Sequence, residues 1–165
     1  MRHAFFLALG LLVALAGCKP EGSASAPPPQ AVSASATAQF CGMLLSEHPG
    51  PKGQIFTRDQ PQPFWFASVR DTLAFTLMPE MPKAIIAIYV NDMGRAQSWD
   101  QPESWVDARK ASFVIGSNRR GGMGEDELIP FGDAEAAQRF AAENGGHVVA
   151  YAEVPRDSIL AEGQH

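Results

Sequence analysis

The feature that most constrains this chain is a pattern that occurs twice. After Pro63, a short aromatic run, Phe64-Trp65-Phe66, has the composition of a strand. Ser68 stands three residues before Asp71, a capping-box-like start for a helix carrying Val69, Leu73 and Leu77. Pro79 and Pro82 stop that helix, and Ile85 to Val90 follows as a buried strand. The second copy starts at Leu128-Ile129-Pro130-Phe131. Asp133 is its N-cap, Ala137, Phe140 and Ala141 form the apolar stripe of its helix, and Asn144-Gly145 closes it. His147 to Val154 is again a strand. One further strand precedes each copy, Gly53 to Thr57 in the first and Ser112 to Ser117 in the second. Both halves therefore read β-β-α-β. The expected fold class is α+β, with two homologous small β-β-α-β domains in tandem after a disordered N-terminal tether. The expected bounds are 39–92 for the first domain, which carries a Cys-Gly-Met run, 93–110 for a polar connector, 111–156 for the second domain and 157–165 for a C-terminal tail. A single α+β sheet in which the likeness is accidental is the alternative.

The stretch before residue 39 has a different character. Residues 1–17 form a secretory signal: Arg2 supplies the charge, and Phe5 to Ala16 is apolar but too short to span a bilayer. The run closes on Leu15-Ala16-Gly17-Cys18, which resembles a bacterial lipoprotein signal, and the resemblance implies cleavage before Cys18 and a lipid on it. Lys19 follows in place of the aspartate that retains such proteins in the inner membrane of enteric-type bacteria. The resemblance thus leans toward the outer membrane. Residues 18–38 comprise the lipidated cysteine and a linker of Ala, Ser, Pro and Gln around Pro27-Pro28-Pro29, a composition that buries too little apolar surface to fold. Roughly 125 residues remain for folded material, enough for one modest domain or two small ones. Losing the signal takes Arg2 from thirteen basic residues set against eighteen acidic ones, leaving a formal charge of about −6. So acidic a chain lacks the basic patch that phosphate backbones require, which argues against nucleic acid. No second apolar run reaches membrane-spanning length, so the lipid is the expected anchor.

With Cys18 lipidated, Cys41 in Phe40-Cys41-Gly42-Met43 is a lone thiol outside the cytoplasm. Thiolate and thioether together make a soft ligand pair, and soft ligands select Cu(I). His48 lies within eight residues of Cys41, near enough for a loop to bring Cys41, Met43 and His48 to one point. Met123, in Gly121-Gly122-Met123-Gly124, has neither helix nor strand around it in which to be a core residue, and Glu125-Asp126-Glu127 follow directly. A methionine left exposed needs a reason.

Blander roles stand beside each of these. A cysteine is usually a small buried hydrophobe, Met43 taken alone would be core packing, and His48 reads as a solvated loop residue. Met78 and Met81 bracket Pro79-Glu80 and suit helix-end packing better than a second soft site. Met93 is a turn residue, His147 a structural one at a strand start, and His165 part of a frayed end. Zinc prefers a closed shell of four thiolates or imidazoles, which one Cys and one nearby His do not supply, so copper is the better match. Two other classes compete with a copper carrier. Cys41 could be the nucleophile of a lyase or thiol-transfer enzyme with His48 as base, and Lys52 beside the thiol would lower its pKa. The chain lacks a clear third member for such a site. The remaining class is an envelope lipoprotein whose thiol serves packing or dimerisation.

The runs Phe40-Cys41-Gly42-Met43 and Glu47-His48-Pro49-Gly50-Pro51-Lys52-Gly53-Gln54-Ile55-Phe56 resemble the signature of the NosL family, copper-binding lipoproteins that accompany nitrous-oxide reductase maturation. Tyr89-Val90-Asn91-Asp92-Met93, Met123-Gly124 and Ile129-Pro130-Phe131 fit the same family. The resemblance implies two β-β-α-β domains, as in the organomercurial lyase family, and one Cu(I) held by sulfur on the periplasmic side. It also implies delivery to an ABC-type transporter complex with a periplasmic partner, which serves the copper centres of the reductase. Cys41 and Met43 match the family's Cys-x-Met ligands, and Met123 matches a later methionine brought in from the second domain. His48 matches a histidine also considered as a ligand. Met123 is preferred as the third ligand, with His48 left open, and no catalytic residue is implied.

Overall fold

A computed structural model describes residues 26–80 and 84–160 of the chain. The signal, the lipidation site at Cys18, Met81, Pro82 and His165 lie outside the described residues.

The first unit runs β1 (Gly53–Thr57), β2 (Phe64–Phe66), α1 (Val69–Leu77) and β3 (Ile85–Asn91). β1 lies between β2 and β3, antiparallel to both, with Ile55 opposite Phe64 on one side and Ile88 on the other. The second unit repeats the plan with β5 (Ser112–Ile115), β6 (Ile129–Phe131), α2 (Ala134–Asn144) and β7 (His147–Ala150). Here β5 is the central strand, and its Val114 faces Ile129 and Val148. The strand orders β2-β1-β3 and β6-β5-β7 are equivalent, so the repeat legible in the sequence is a repeat of topology. Both helix starts form as the residues imply: the Ser68 side chain accepts from Asp71 N–H and the Asp133 side chain from Ala136 N–H.

The two units share one core. Ile55, Phe66, Val69, Leu73, Phe75 and Ile88 of the first unit pack with Phe113, Ile115 and Leu128 of the second. On the opposite face of β5, Val114 joins Ile129, Phe131 and Ala137 beneath α2. β5 is thus buried on both faces, which explains its apolar run Phe113 to Ile115.

Three segments differ from the sequence expectation. Residues 27–38, expected as disordered linker, are held on the first unit. Tyr89 Oη donates to Pro27 O, and the buried amide of Gln54 exchanges hydrogen bonds with the backbone of Gln30 at 2.9 and 3.0 Å. Composition foretold little here because the segment borrows its partners from β1 and β3. The connector 93–110 contains a strand, β4 (Trp105–Asp107), paired with the outer edge of β3. The Asn91 side chain gathers the chain for this pairing by donating to the carbonyls of Pro102 and Ser104. β7 stops at Ala150, where the Glu153 carboxylate takes the Ala150 N–H into a 3-10 turn, and the described start of the tail lies in α3 (Arg156–Leu160), with Ile159 buried against the shared core.

Candidate metal centre

Cys41 and Met43 sit at the tip of a small hairpin made by Ala36 to Leu45. Thr37 and Leu44 form an antiparallel bridge, Ala38 N–H donates to Met43 O at 2.9 Å, and Leu45 N–H donates to Ala36 O at 2.9 Å. Gly42 closes the tip at φ +69°, a conformation that L side chains rarely adopt, and its N–H donates to Ala38 O. Two anchors fix the hairpin to the first unit. Gln39 N–H donates to Trp65 O in β2, and the Phe40 ring meets Phe66 edge-on at 5.6 Å and Phe75 at 6.4 Å. Beneath the hairpin, Ala36, Ala38 and Leu45 pack with Ala67. Ala36, Ala38 and Leu45 are buried and root the hairpin, while its tip lies open: Phe40 is 41% exposed, Met43 is 45% exposed, and Cys41 is an exposed, unpaired thiol. Burying a methionine is worth about 1.5–3 kcal/mol, so packing alone gives no reason for this placement.

A 3-10 turn, Leu45–Glu47, leads from the hairpin to His48. His48 is 4% exposed, and its Nε2 has no hydrogen-bond partner. The expectation of a solvated loop residue does not hold, because the loop that carries Met123 covers His48. A Cβ at Gly122 would stand 2.7 Å from Pro49 O and 2.9 Å from His48 Cβ, so only glycine allows this approach.

The Met123 loop is itself a closed hairpin. Arg120 and Asp126 pair through a backbone bridge and an ion pair, Gly121 N–H donates to Glu125 O, and Gly124 N–H donates to Gly121 O. Met123 N–H donates to Glu125 Oε2 at 3.0 Å, leaving the Met123 side chain 49% exposed. Immediately after the loop, Glu127 turns inward. Its Oε2 accepts from Val69 N–H at 3.3 Å, and its Oε1 accepts from Arg70 N–H at 3.1 Å and Leu128 N–H at 2.8 Å. The first two donors belong to the opening turn of α1, where unpaired N–H groups and the helix dipole favour a carboxylate. Burial nevertheless dominates and pushes the Glu127 carboxyl up to about 8. Burial likewise raises Asp71, with Arg70 opposing and Glu125 reinforcing the shift.

The Cys41 hairpin thus rests on Phe66, Ala67 and Phe75, while the Met123 loop is moored to the start of α1 by Glu127 and lies against His48. Among the described residues, no three His, Cys, Asp or Glu side chains gather as a metal-holding group. Lys52, expected beside the thiol, points inward: it is 4% exposed and its Nζ donates to Gly50 O. Burial lowers the Lys52 pKa to about 8, with Asp100 and Glu127 opposing. Lys52 faces a cleft of about 410 Å³ whose walls include Asp100, Glu103 and Trp105 but neither Cys41 nor Met43.

The remaining sequence candidates fall elsewhere. Met78 packs against the shared core, Met93 against Val114, Ile129 and Phe131, and His147 is exposed on β7. Sequence reasoning missed Glu127, which it read only as one of three acidic residues following Met123. A faint signal was present, since Glu127 directly precedes the apolar run Leu128-Ile129.

Comparison with known proteins places the chain. The NosL family profile matches residues 29–159. A protein of Achromobacter cycloclastes named copper-binding lipoprotein NosL is 43% identical over 162 residues, covering 96% of this chain and 83% of its own. One of the same name from Stutzerimonas stutzeri is 32% identical over 159 residues, covering 94% and 81%. Among solved structures, the copper chaperone NosL from Shewanella denitrificans superposes with a TM-score of 0.72 at 34% identity, covering 79% of this chain and 98% of its own. The solution structure of apo-NosL from Achromobacter cycloclastes gives a TM-score of 0.51 at 43% identity, covering 68% and 92%.

Proposed function

The chain belongs to the NosL family, and from that premise we propose that it is a copper metallochaperone, lipid-anchored through Cys18 at the periplasmic face of a bacterial membrane. It binds one Cu(I) and delivers it, through an ABC-type transporter complex with a periplasmic partner, for assembly of the copper centres of nitrous-oxide reductase. Relatives named as copper-binding lipoproteins and a copper chaperone support the cargo. The observation that carries the reading is the Cys41 hairpin, rooted in the first unit by buried Ala36, Ala38 and Leu45 and leaving a thiol and a thioether exposed at its tip.

The roles follow from ligand chemistry. The Cys41 thiolate supplies charge and most of the affinity, and the Met43 thioether favours the reduced ion. Met123 is the preferred third ligand: it is exposed, on a loop that Glu127 moors to the start of α1. His48 is the alternative, supported by its buried and unpartnered Nε2. Exposure of the sulfurs leaves room for a partner's ligand to enter the coordination sphere and take the ion.

The test is an anaerobic competition titration against a chromophoric Cu(I) chelator, with wild type run beside Cys41→Ser, Met43→Leu, Met123→Leu and His48→Ala. One tight equivalent is expected, lost with Cys41→Ser and weakened by Met43→Leu and Met123→Leu. Cys41→Ser holding copper as tightly as wild type would falsify the assignment. Delivery is tested separately, by the copper content of the reductase in cells lacking this chain, restored by wild type but not by Cys41→Ser.

A further inference from the structure

Met123 belongs to the second unit, and a ligand from there is useful only if its loop is held in register with the Cys41 hairpin on the first unit. Few contacts do this. Met123 is exposed, and the Arg120–Asp126 pair that closes the loop is exposed too, so neither attaches the loop to the first unit. Besides Leu128, which enters the shared core, two contacts near the loop cross between the units: Gly122 against His48 and Pro49, and the Glu127 carboxyl against Val69 and Arg70 N–H. The first is a contact of shape that can open when the loop swings away. The second consists of directional hydrogen bonds to main-chain donors at a helix start, made by a side chain 3% exposed. Neither donor can move without unwinding α1, and α1 also carries Phe75, against which the Phe40 ring of the Cys41 hairpin rests.

Building on the assignment of Met123 as a copper ligand, we propose that Glu127 is a positioning residue for the copper site, clamping the Met123 loop to the start of α1 at a fixed distance from Cys41 and Met43. Glu125 extends the clamp to the loop tip, since its Oε2 accepts from Met123 N–H. The site is then pre-organised across the two units in the copper-free protein, and affinity depends on a residue that never meets the ion. Partners of this kind, which hold a ligand without touching the metal, typically change metal affinity by about 10- to 100-fold when removed.

The test is a double-mutant cycle on the full chain, titrating Cu(I) against the chelator for wild type, Glu127→Gln, Met123→Leu and the double variant. Glu127→Gln is expected to weaken binding about tenfold or more in the wild-type background and less than about twofold once Met123 is leucine. An equal loss in both backgrounds overturns the proposal in favour of a general structural role. No loss from Glu127→Gln, with a clear loss from Met123→Leu, overturns it while leaving Met123 as ligand. No loss from Met123→Leu refutes the ligand assignment and the proposal with it. A second measurement needs no variant and covers the case of Glu127→Gln failing to fold. In the copper-free wild type, NMR order parameters for residues 121–126 should be near 0.85, as for rigid backbone, and values below about 0.6 overturn the clamp.

Discussion

Gly122→Ala perturbs the contact on which the Met123 loop rests, and its effect can be worked from the structure. The added methyl would lie 2.7 Å from Pro49 O, 2.9 Å from His48 Cβ and 3.2 Å from His48 Cα. Carbon atoms prefer separations of about 3.5–4.0 Å, so one side must retreat by on the order of 1 Å. The His48 side is the less able to give way, because His48 is buried and the chain beside it is fixed by Gly50 N–H donating to Trp99 O at 2.9 Å. The exposed Met123 loop therefore moves, and its thioether moves with it. Overpacking of this kind costs about 1–3 kcal/mol, which the copper-bound state must restore. At a tenfold change per 1.4 kcal/mol, Cu(I) affinity should fall between about fivefold and a hundredfold in the competition titration. Thermal unfolding of the copper-free variant shows where the strain resides. If the loop has swung out, the midpoint changes little; if the strain is retained, it drops by about 2–4 °C per kcal/mol. Unchanged midpoint together with unchanged affinity would refute the reasoning, since the contact at Gly122 would then constrain nothing.

Three further outcomes are expected. A fragment starting at Gln39 should be less stable to urea and bind Cu(I) more weakly than one starting at Ala26. It lacks the Thr37–Leu44 bridge and the Ala38 contacts that close the Cys41 hairpin, and it leaves buried Gln54 without Gln30, which costs about 1–3 kcal/mol. Stability should pass through a minimum near pH 8, read from urea midpoints between pH 5 and 10. Glu127, raised from 4.5 to about 8, keeps in the folded state a proton that the unfolded chain has released, so stability falls as pH rises through that window, by at most about 1.4 kcal/mol per pH unit. Lys52, lowered from 10.5 to about 8, has lost a proton that the unfolded chain still holds, so stability recovers above pH 8. Glu127→Gln should remove the falling limb and leave the rising one. Gly42→Ala should weaken copper binding without disturbing the core, because the position needs positive φ but has nothing within 4 Å of the added methyl; circular dichroism beside the titration checks both parts.

The repeated unit was legible because each copy announces itself locally. Ser68 and Asp133 cap their helices with their own side chains, and the strands that follow are apolar runs bounded by proline or glycine. The exposure of Met123 was legible for the same reason, since glycines on both sides leave no regular element to bury it. What escaped detection depends on partners remote in sequence. Gln30 and Pro27 are ordered by Gln54 and Tyr89, β4 is recruited by β3, and Glu127 is buried by a helix start 57 residues away. His48 was misjudged as solvated because its cover, Gly122, comes from the other unit.

These long-range contacts bear on the proposed carrier role. A carrier must hold copper firmly yet release it, and firm holding usually comes from enclosing the ion. Here the sulfur side chains stay at the surface, where an incoming ligand can reach them, and rigidity comes from what lies beneath. Phe40 and Leu45 root one loop in the first unit, while Glu127 and the Gly122–His48 contact bind the other to it. Ligands on rigid mounts raise affinity by reducing the ordering cost of binding, without closing the route by which the metal leaves. Release would then require no unfolding of either unit: loss of one thioether, by a small outward swing of the Met123 loop, lowers the hold on the ion while Cys41 and Met43 keep it in place for the partner.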